Sequence, residues 1–220
     1  MLVDSMNADE QSRFRMMNRV AICHDWILDP RGAERILVEL ASGWDRLEIN
    51  TLFLDPGRLH PSLQERTVFV SSLNRLPGVR RYYRYTLPFF RRGALSLRIQ
   101  EADLVLSISH SVAKSFPRKT GIPHVCYCLT PMRYLWEPHL YGKELSASLR
   151  GLALTYWARS LKYWDLETSG SVDYFVAISK TVQKRIKRVY GRGSALIYPC
   201  TDLDFYTPSS AQRREFFLVV

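Results

Sequence analysis

The sequence predicts an α/β fold: a doubly wound, mostly parallel sheet of the Rossmann-like kind. Three observations carry this. Short β-branched and aromatic runs alternate with segments of helical period along most of the chain. Several of those runs are apolar at consecutive positions, as strands are when helices cover both faces of a parallel sheet. Polar residues recur just after the runs, at the edge where open parallel sheets bind ligands.

The elements follow in order. Residues 20–24 (Val-Ala-Ile-Cys-His) read as the first strand. Ala33, Ile36, Leu37 and Leu40 then form one apolar face of a helix that ends at Gly43. Residues 49–54 and 67–70 read as strands, and Pro77 and Pro88 punctuate two short helical pieces. Residues 104–109 and 124–128 are two further strands. A long helix is expected over 145–166, with Leu154, Trp157, Leu161 and Trp164 as its buried stripe. Residues 173–178 form another strand, and Ser179 is placed to cap a helix carrying Val182, Ile186 and Val189. Residues 195–198 close the unit.

The predicted domain covers residues 19–203, after a polar extension over 1–18 with no apolar signal-like run. Residues 204–215, with Pro208, Ser209 and Ser210, read as a linker. Residues 216–220 (Phe-Phe-Leu-Val-Val) then start a strand that needs a partner, so a second domain is expected beyond it. No apolar run approaches the roughly 18 residues a membrane-spanning helix needs. A cytoplasmic protein is the expectation.

Hydrophobic residues make up 46% and charged residues 24% of the chain, which argues against disorder. The net charge of +10 is local. Arginines 66, 75, 80, 81, 84, 91, 92 and 98 fall in a stretch without a single Asp or Glu, so that stretch carries most of the excess. Arg80, Arg81, Arg84, Arg91 and Arg92 surround Tyr82, Tyr83, Tyr85, Phe89 and Phe90. Such a segment can lie on an anionic membrane surface or bind single-stranded nucleic acid. The plainer reading is a solvated arginine face over core aromatics. Cys23, Cys126 and Cys128 sit in apolar runs and Cys200 follows a proline. Buried reduced thiols fit these spacings better than zinc ligands.

The chemistry is expected at the strand ends. These carry His24-Asp25-Trp26, then Ser109-His110, then Thr130 and Arg133, then Ser179. Gly32 at the start of the first helix lets backbone N–H groups approach an anion. The phosphate-binding P-loop, dinucleotide and nucleophile-elbow motifs are all missing, which removes the machinery of ATPases, nicotinamide oxidoreductases and α/β-hydrolases.

Five strings occur in one order: Val20-Ala-Ile-Cys-His-Asp-Trp-Ile27, Gly32-Ala-Glu-Arg35, Cys126-Tyr-Cys-Leu-Thr-Pro-Met-Arg-Tyr-Leu-Trp136, Val172-Asp-Tyr-Phe-Val-Ala-Ile-Ser179 and Ile197-Tyr-Pro-Cys-Thr-Asp202. Together they resemble family-4 glycosyltransferases of the bacterial polysaccharide and O-antigen mannosyltransferase group. The resemblance implies a GT-B fold, with an N-terminal acceptor domain and a C-terminal nucleotide-sugar domain. It implies a retaining hexosyltransferase in surface polysaccharide and lipopolysaccharide synthesis, using a nucleotide-diphosphate sugar and a lipid-linked saccharide acceptor, with no metal or other cofactor. The implied site is peripheral to the inner face of the cell membrane, which favours the lipid role of the basic segment over nucleic acid. Arg31, Gly32 and Ala33 would face the donor diphosphate. Asp25, Ser109, Thr130, Arg133 and Ser179 would line the cleft.

Two departures stand out. The family's double glycine before Ala-Glu-Arg is Arg31-Gly32 here, and its histidine between Cys and Thr-Pro-Met-Arg is Leu129. Leucine can neither hydrogen-bond nor exchange a proton. Three readings stay open: His24 or His110 serves instead, the position is dispensable, or the chain is a noncatalytic relative.

Overall fold

The computed structural model describes residues 18–29, 32–137 and 149–200, with side chains from 157 onward in the last stretch. The expected extension over 1–18 (all but Asn18), the linker and the strand over 216–220 lie outside the described residues, as do Arg31 and the segment from 138 to 148.

Seven strands form one sheet in which every neighbouring pair is parallel, in the order β3-β2-β1-β4-β5-β6-β7. The strands are β1 Arg19–Ile27, β2 Arg46–Leu54, β3 Thr67–Val70, β4 Leu104–Ser109, β5 His124–Cys128, β6 Tyr174–Ala177 and β7 Ala195–Leu196. The helices are α1 Gly32–Ser42, α2 Val79–Tyr82, α3 Phe90–Leu95, α4 Arg133–Trp136, α5 Leu149–Ser169 and α6 Lys180–Tyr190. The doubly wound prediction therefore holds.

Alternation along the strands sorts the core into two faces. Val20, Ile22, Ile49, Leu104 and Ile108 pack with Leu37 and Ala41 of α1. Ala21, Cys23, Leu52 and Val105 pack with Phe90 and Ala94 of α3 and with Leu161 and Trp164 of α5. Cys126 and Cys128 share a face with Val182 and Ile186 of α6, and these thiols, like Cys23, are buried and unbridged. Cys200 is exposed. Ser179 caps α6, its Oγ accepting from the Val182 N–H at 3.2 Å. The helix ends at Gly191 in the left-handed region (φ 68°), where glycine carries no Cβ penalty.

Several strand ends differ from the sequence reading, β2 beginning at Arg46 and β6 spanning Tyr174–Ala177, and two of the differences bear on the site. β1 continues to Ile27 because Trp26 and Ile27 pair with Phe53 and Leu54 of β2. His24 and Asp25 thus lie within the sheet and not at its edge. β7 stops at Leu196, leaving Ile197 and Tyr198 exposed although the Ile197 N–H still reaches the Ala177 carbonyl at 3.1 Å.

The basic segment folds as 3₁₀ turns around two short helices. Its apolar side, Val79, Phe90, Gly93 and Ala94, is buried on the sheet. A Cβ on Gly93 would stand 2.5 Å from Leu73 Cδ1 and 3.1 Å from Leu52 Cδ2, so glycine here permits α3 to sit against β2.

Candidate active site

The winding of the sheet reverses at β1, whose neighbours are β2 on one side and β4 on the other. A crevice forms beyond the carboxyl ends of strands at such a switch point. Its organising group is Asp25, which has no exposed surface. Oδ2 accepts from the backbone N–H of His110 (2.6 Å) and Ser111 (2.8 Å), and Oδ1 from Val112 (2.6 Å) and Ala113 (2.7 Å). The loop after β4 is wrapped around one carboxylate. Burial alone would raise the Asp25 pKa; the charge of His110 and the bonds from it outweigh burial and hold it below the usual value.

His110 Nδ1 lies 3.0 Å from Asp25 Oδ2, and the side chain is 28% exposed. Nδ1 is sealed from solvent, and it meets Asp25 as a close charge contact without hydrogen-bond geometry. Trp26 meets the ring edge-on with centroids 4.5 Å apart. Burial pulls the His110 pKa down, but Asp25, with help from Glu34, outweighs burial and Arg133, and the pKa ends above the ordinary value.

The structure separates the two histidine candidates. His24 is completely buried, and neither ring nitrogen has a hydrogen-bond partner. Burial lowers its pKa to about 4 against a smaller opposing pull from Asp25, so the ring is neutral near pH 7. His24 and Asp25 are both fully buried within β1, and Asp25 lies directly against His110.

Other predicted residues take varied places. Gly32 opens α1 on the exposed side, and a Cβ there would meet no atom within 4 Å. Chain packing therefore does not require glycine at this position. Ala33 is half-buried beside it. Arg133 is exposed at the start of α4 and close enough to influence His110. Thr130 is buried, with Arg185 Nη1 of α6 at 3.5 Å from its hydroxyl. Ser109 is buried, and Ser179 spends its hydroxyl on the α6 cap. Leu129 follows β5 directly beside the end of β4, its N–H donating to Ser109 O at 2.9 Å. Its side chain packs on the α1-side core. Among the described residues, no group of three or more His, Cys, Asp or Glu side chains is placed to hold a metal.

The family model for Glycosyltransferase Family 4 matches residues 30–205. The chain belongs to glycosyltransferase family 4. No curated protein matches the sequence significantly. Among solved structures, the chain is similar to HepE from Anabaena, crystallised in complex with UDP, at 16% identity and a TM-score of 0.51. That superposition covers 87% of this chain and 47% of HepE, so this family-4 chain spans about half the length of the structure it matches. The likeness supports the fold, a Rossmann-like unit of the GT-B kind.

The five arginines of the basic segment are all exposed on the family-4 domain. Arg80 is engaged by Asp55 at 2.7 Å, and Arg84 lies over the Tyr83 ring at 5.6 Å. Tyr85 and Phe89 are exposed between them, whereas Tyr83 turns inward to Trp26, with centroids 5.1 Å apart. The segment is thus tied through Tyr83 to Trp26 of β1, whose ring also meets His110. No helix among the described residues is long and apolar enough to cross a membrane.

Sequence reading missed two charged clusters. Glu137 of the α4 end holds Arg185 at 3.1 Å and Arg188 at 2.7 Å, fixing Arg185 beside Thr130. Lys114, four residues after His110, is buried against Asp165. A lysine in an otherwise small and apolar run (Ser111-Val-Ala-Lys-Ser115) was the available signal, since an unpaired lysine is costly to bury.

Proposed function

We propose that this chain is the acceptor-side, N-terminal half of a retaining glycosyltransferase. It moves a hexose from a nucleotide-diphosphate sugar to a lipid-linked saccharide in surface polysaccharide synthesis, at the inner face of the cell membrane. The observation that carries the reading is His110: a half-buried imidazole at the switch point, in a chain of family 4. The UDP in HepE supports a nucleotide-sugar donor.

In this reading the N–H groups at the start of α1, at Gly32 and Ala33, face the donor diphosphate. A helix N-terminus favours negative charge, and the open space at Gly32 lets a phosphate come close. Arg133 and Arg185 supply positive charge toward the leaving group. Fixed donors aimed at developing charge are worth more than mobile ones, because they need no reorganisation during reaction. No resident metal or other cofactor is assigned.

The basic segment is the membrane contact. Arg81, Arg91 and Arg92 are the arginines best disposed, with Tyr85 and Phe89 as apolar points between them. Each basic residue near an anionic surface contributes about 1 kcal/mol.

The test uses the protein extended through a second domain, incubated with UDP- and GDP-hexoses and a lipid-linked saccharide. Transfer with retained anomeric configuration, read by proton NMR, is expected from the extended protein and none from the 220-residue chain. An extended protein that is inactive but gains transfer on Leu129→His would replace the reading with a noncatalytic relative. Tight nucleotide-sugar binding by the 220-residue chain would overturn the division of labour.

A further inference from the structure

Asp25 presents two oxygens, with roughly four lone-pair directions between them. Four backbone N–H groups at 2.6 to 2.8 Å occupy those directions, so the His110 ring meets the carboxylate through charge and not as a fifth hydrogen bond. One of the four is the N–H of His110 itself, whose ring nitrogen also lies 3.0 Å from the same carboxylate. A single buried side chain therefore holds both the main chain and the ring of His110. A bare Nδ1 lone pair at that distance would face a full negative charge. A proton on Nδ1 turns this repulsion into attraction, so the contact selects one tautomer.

The orientation is held from other sides too. Trp26 closes one edge of the ring. The charged groups acting on it are Asp25 from β1, Glu34 from α1 and Arg133 from α4, and the buried His24 of β1 is a neutral titratable group nearby. Nδ1 is sealed from solvent while the side chain as a whole keeps 28% of its exposure, so the ring is reached from the side away from Asp25.

We infer that Asp25 is a positioning residue that fixes the tautomer and ring orientation of His110, so that Nε2 is the edge offered to a sugar hydroxyl in the crevice. This deepens the glycosyltransferase reading and rests on it for the identity of the ligand; the geometry of the pair does not depend on sugar transfer.

Long-range proton–nitrogen NMR on the 220-residue chain tests it, with the His110 signals assigned by their loss in His110→Gln. The expected neutral form carries its proton on Nδ1, the reverse of the preference of free histidine. In Asp25→Asn that preference is lost and the His110 midpoint falls. A parent chain with the proton on Nε2 would overturn the inference. So would a folded Asp25→Asn chain with tautomer and midpoint unchanged. If Asp25→Asn fails to fold, the tautomer in the parent decides. In the extended protein, Asp25→Asn combined with His110→Gln is expected to lower kcat no further than His110→Gln alone; additive losses would count against coupling through His110. A correct tautomer in a protein that transfers no sugar would leave the pair standing and remove only the proposed function.

Discussion

Lys114 Nζ lies 2.8 Å from Asp165 Oδ1, with both side chains almost entirely out of solvent. The pair joins the loop that carries His110 to α5. Trp136 Nε1 (2.7 Å) and the Tyr190 hydroxyl (3.1 Å) donate to the other carboxylate oxygen, drawing in α4 and α6.

Removing one member of such a pair leaves an uncompensated buried charge, at a cost of roughly 3–5 kcal/mol. Lys114→Met is therefore expected to lower the urea-unfolding free energy by that amount. Lys114→Met with Asp165→Leu should recover part of the loss, though Trp136 and Tyr190 then lack an acceptor. A single variant within about 1 kcal/mol of the parent would show that the carboxylate is not stranded.

His24 sets an acid sensitivity. Its pKa is about 4 in the folded chain against 6.5 for the ordinary group, so the unfolded chain binds the extra proton first. Stability is full above about pH 6.5 and falls as pH drops toward 4, by about 3 kcal/mol at roughly 1.4 kcal/mol per unit. His124, lowered to about 3 by burial, acts in the same direction. His110 has a raised pKa and acts oppositely, contributing below 6.5 and losing its contribution as pH rises through its folded value. His24→Leu should flatten the stability profile between pH 6.5 and 4, measured by denaturant unfolding at each pH. An unchanged slope would mean that His24 does not carry it.

Gly93→Ala is expected to destabilise the domain by about 1–3 kcal/mol, because Leu73 has to give way in a packed core. Leu73→Ala in the same chain should relieve the clash while adding its own cavity cost. A thermal scan that leaves Gly93→Ala at the parent midpoint would mean α3 shifts freely on β2.

The basic segment should sediment with phosphatidylglycerol vesicles and not with neutral ones. Raised salt is expected to release it, since the Debye length shrinks from about 10 Å at 0.1 M to about 3 Å at 1 M. Arg81→Glu/Arg91→Glu/Arg92→Glu should abolish binding, whereas Arg80→Glu should cost less because Arg80 already serves Asp55. A chain that ignores vesicles yet binds single-stranded RNA would transfer the segment to the nucleic-acid reading.

Period and apolar runs made the sheet legible, because each strand's burial follows directly from its own residues. The end of β1 was not, since Trp26 and Ile27 extend it only through Phe53 and Leu54, some 27 positions away. The longer strand buries His24 and Asp25 inside the sheet, whereas His110 keeps part of its surface. Ion pairs such as Lys114 with Asp165 and Glu137 with Arg185 were invisible for the same reason: local sequence records a charge but not what crosses the fold to meet it.

The central place of β1 also orders events in time. Asp25 precedes the first of its backbone donors by 85 positions. At a synthesis rate of about 5–20 residues per second, the ribosome needs roughly 4–17 s to deliver them. Until then the carboxylate keeps its water, and the strand that will sit mid-sheet has only β2 and β3 for company. Closure of the 110–113 loop on Asp25 therefore has to wait for synthesis of β4, the strand that pairs with β1 on its second side.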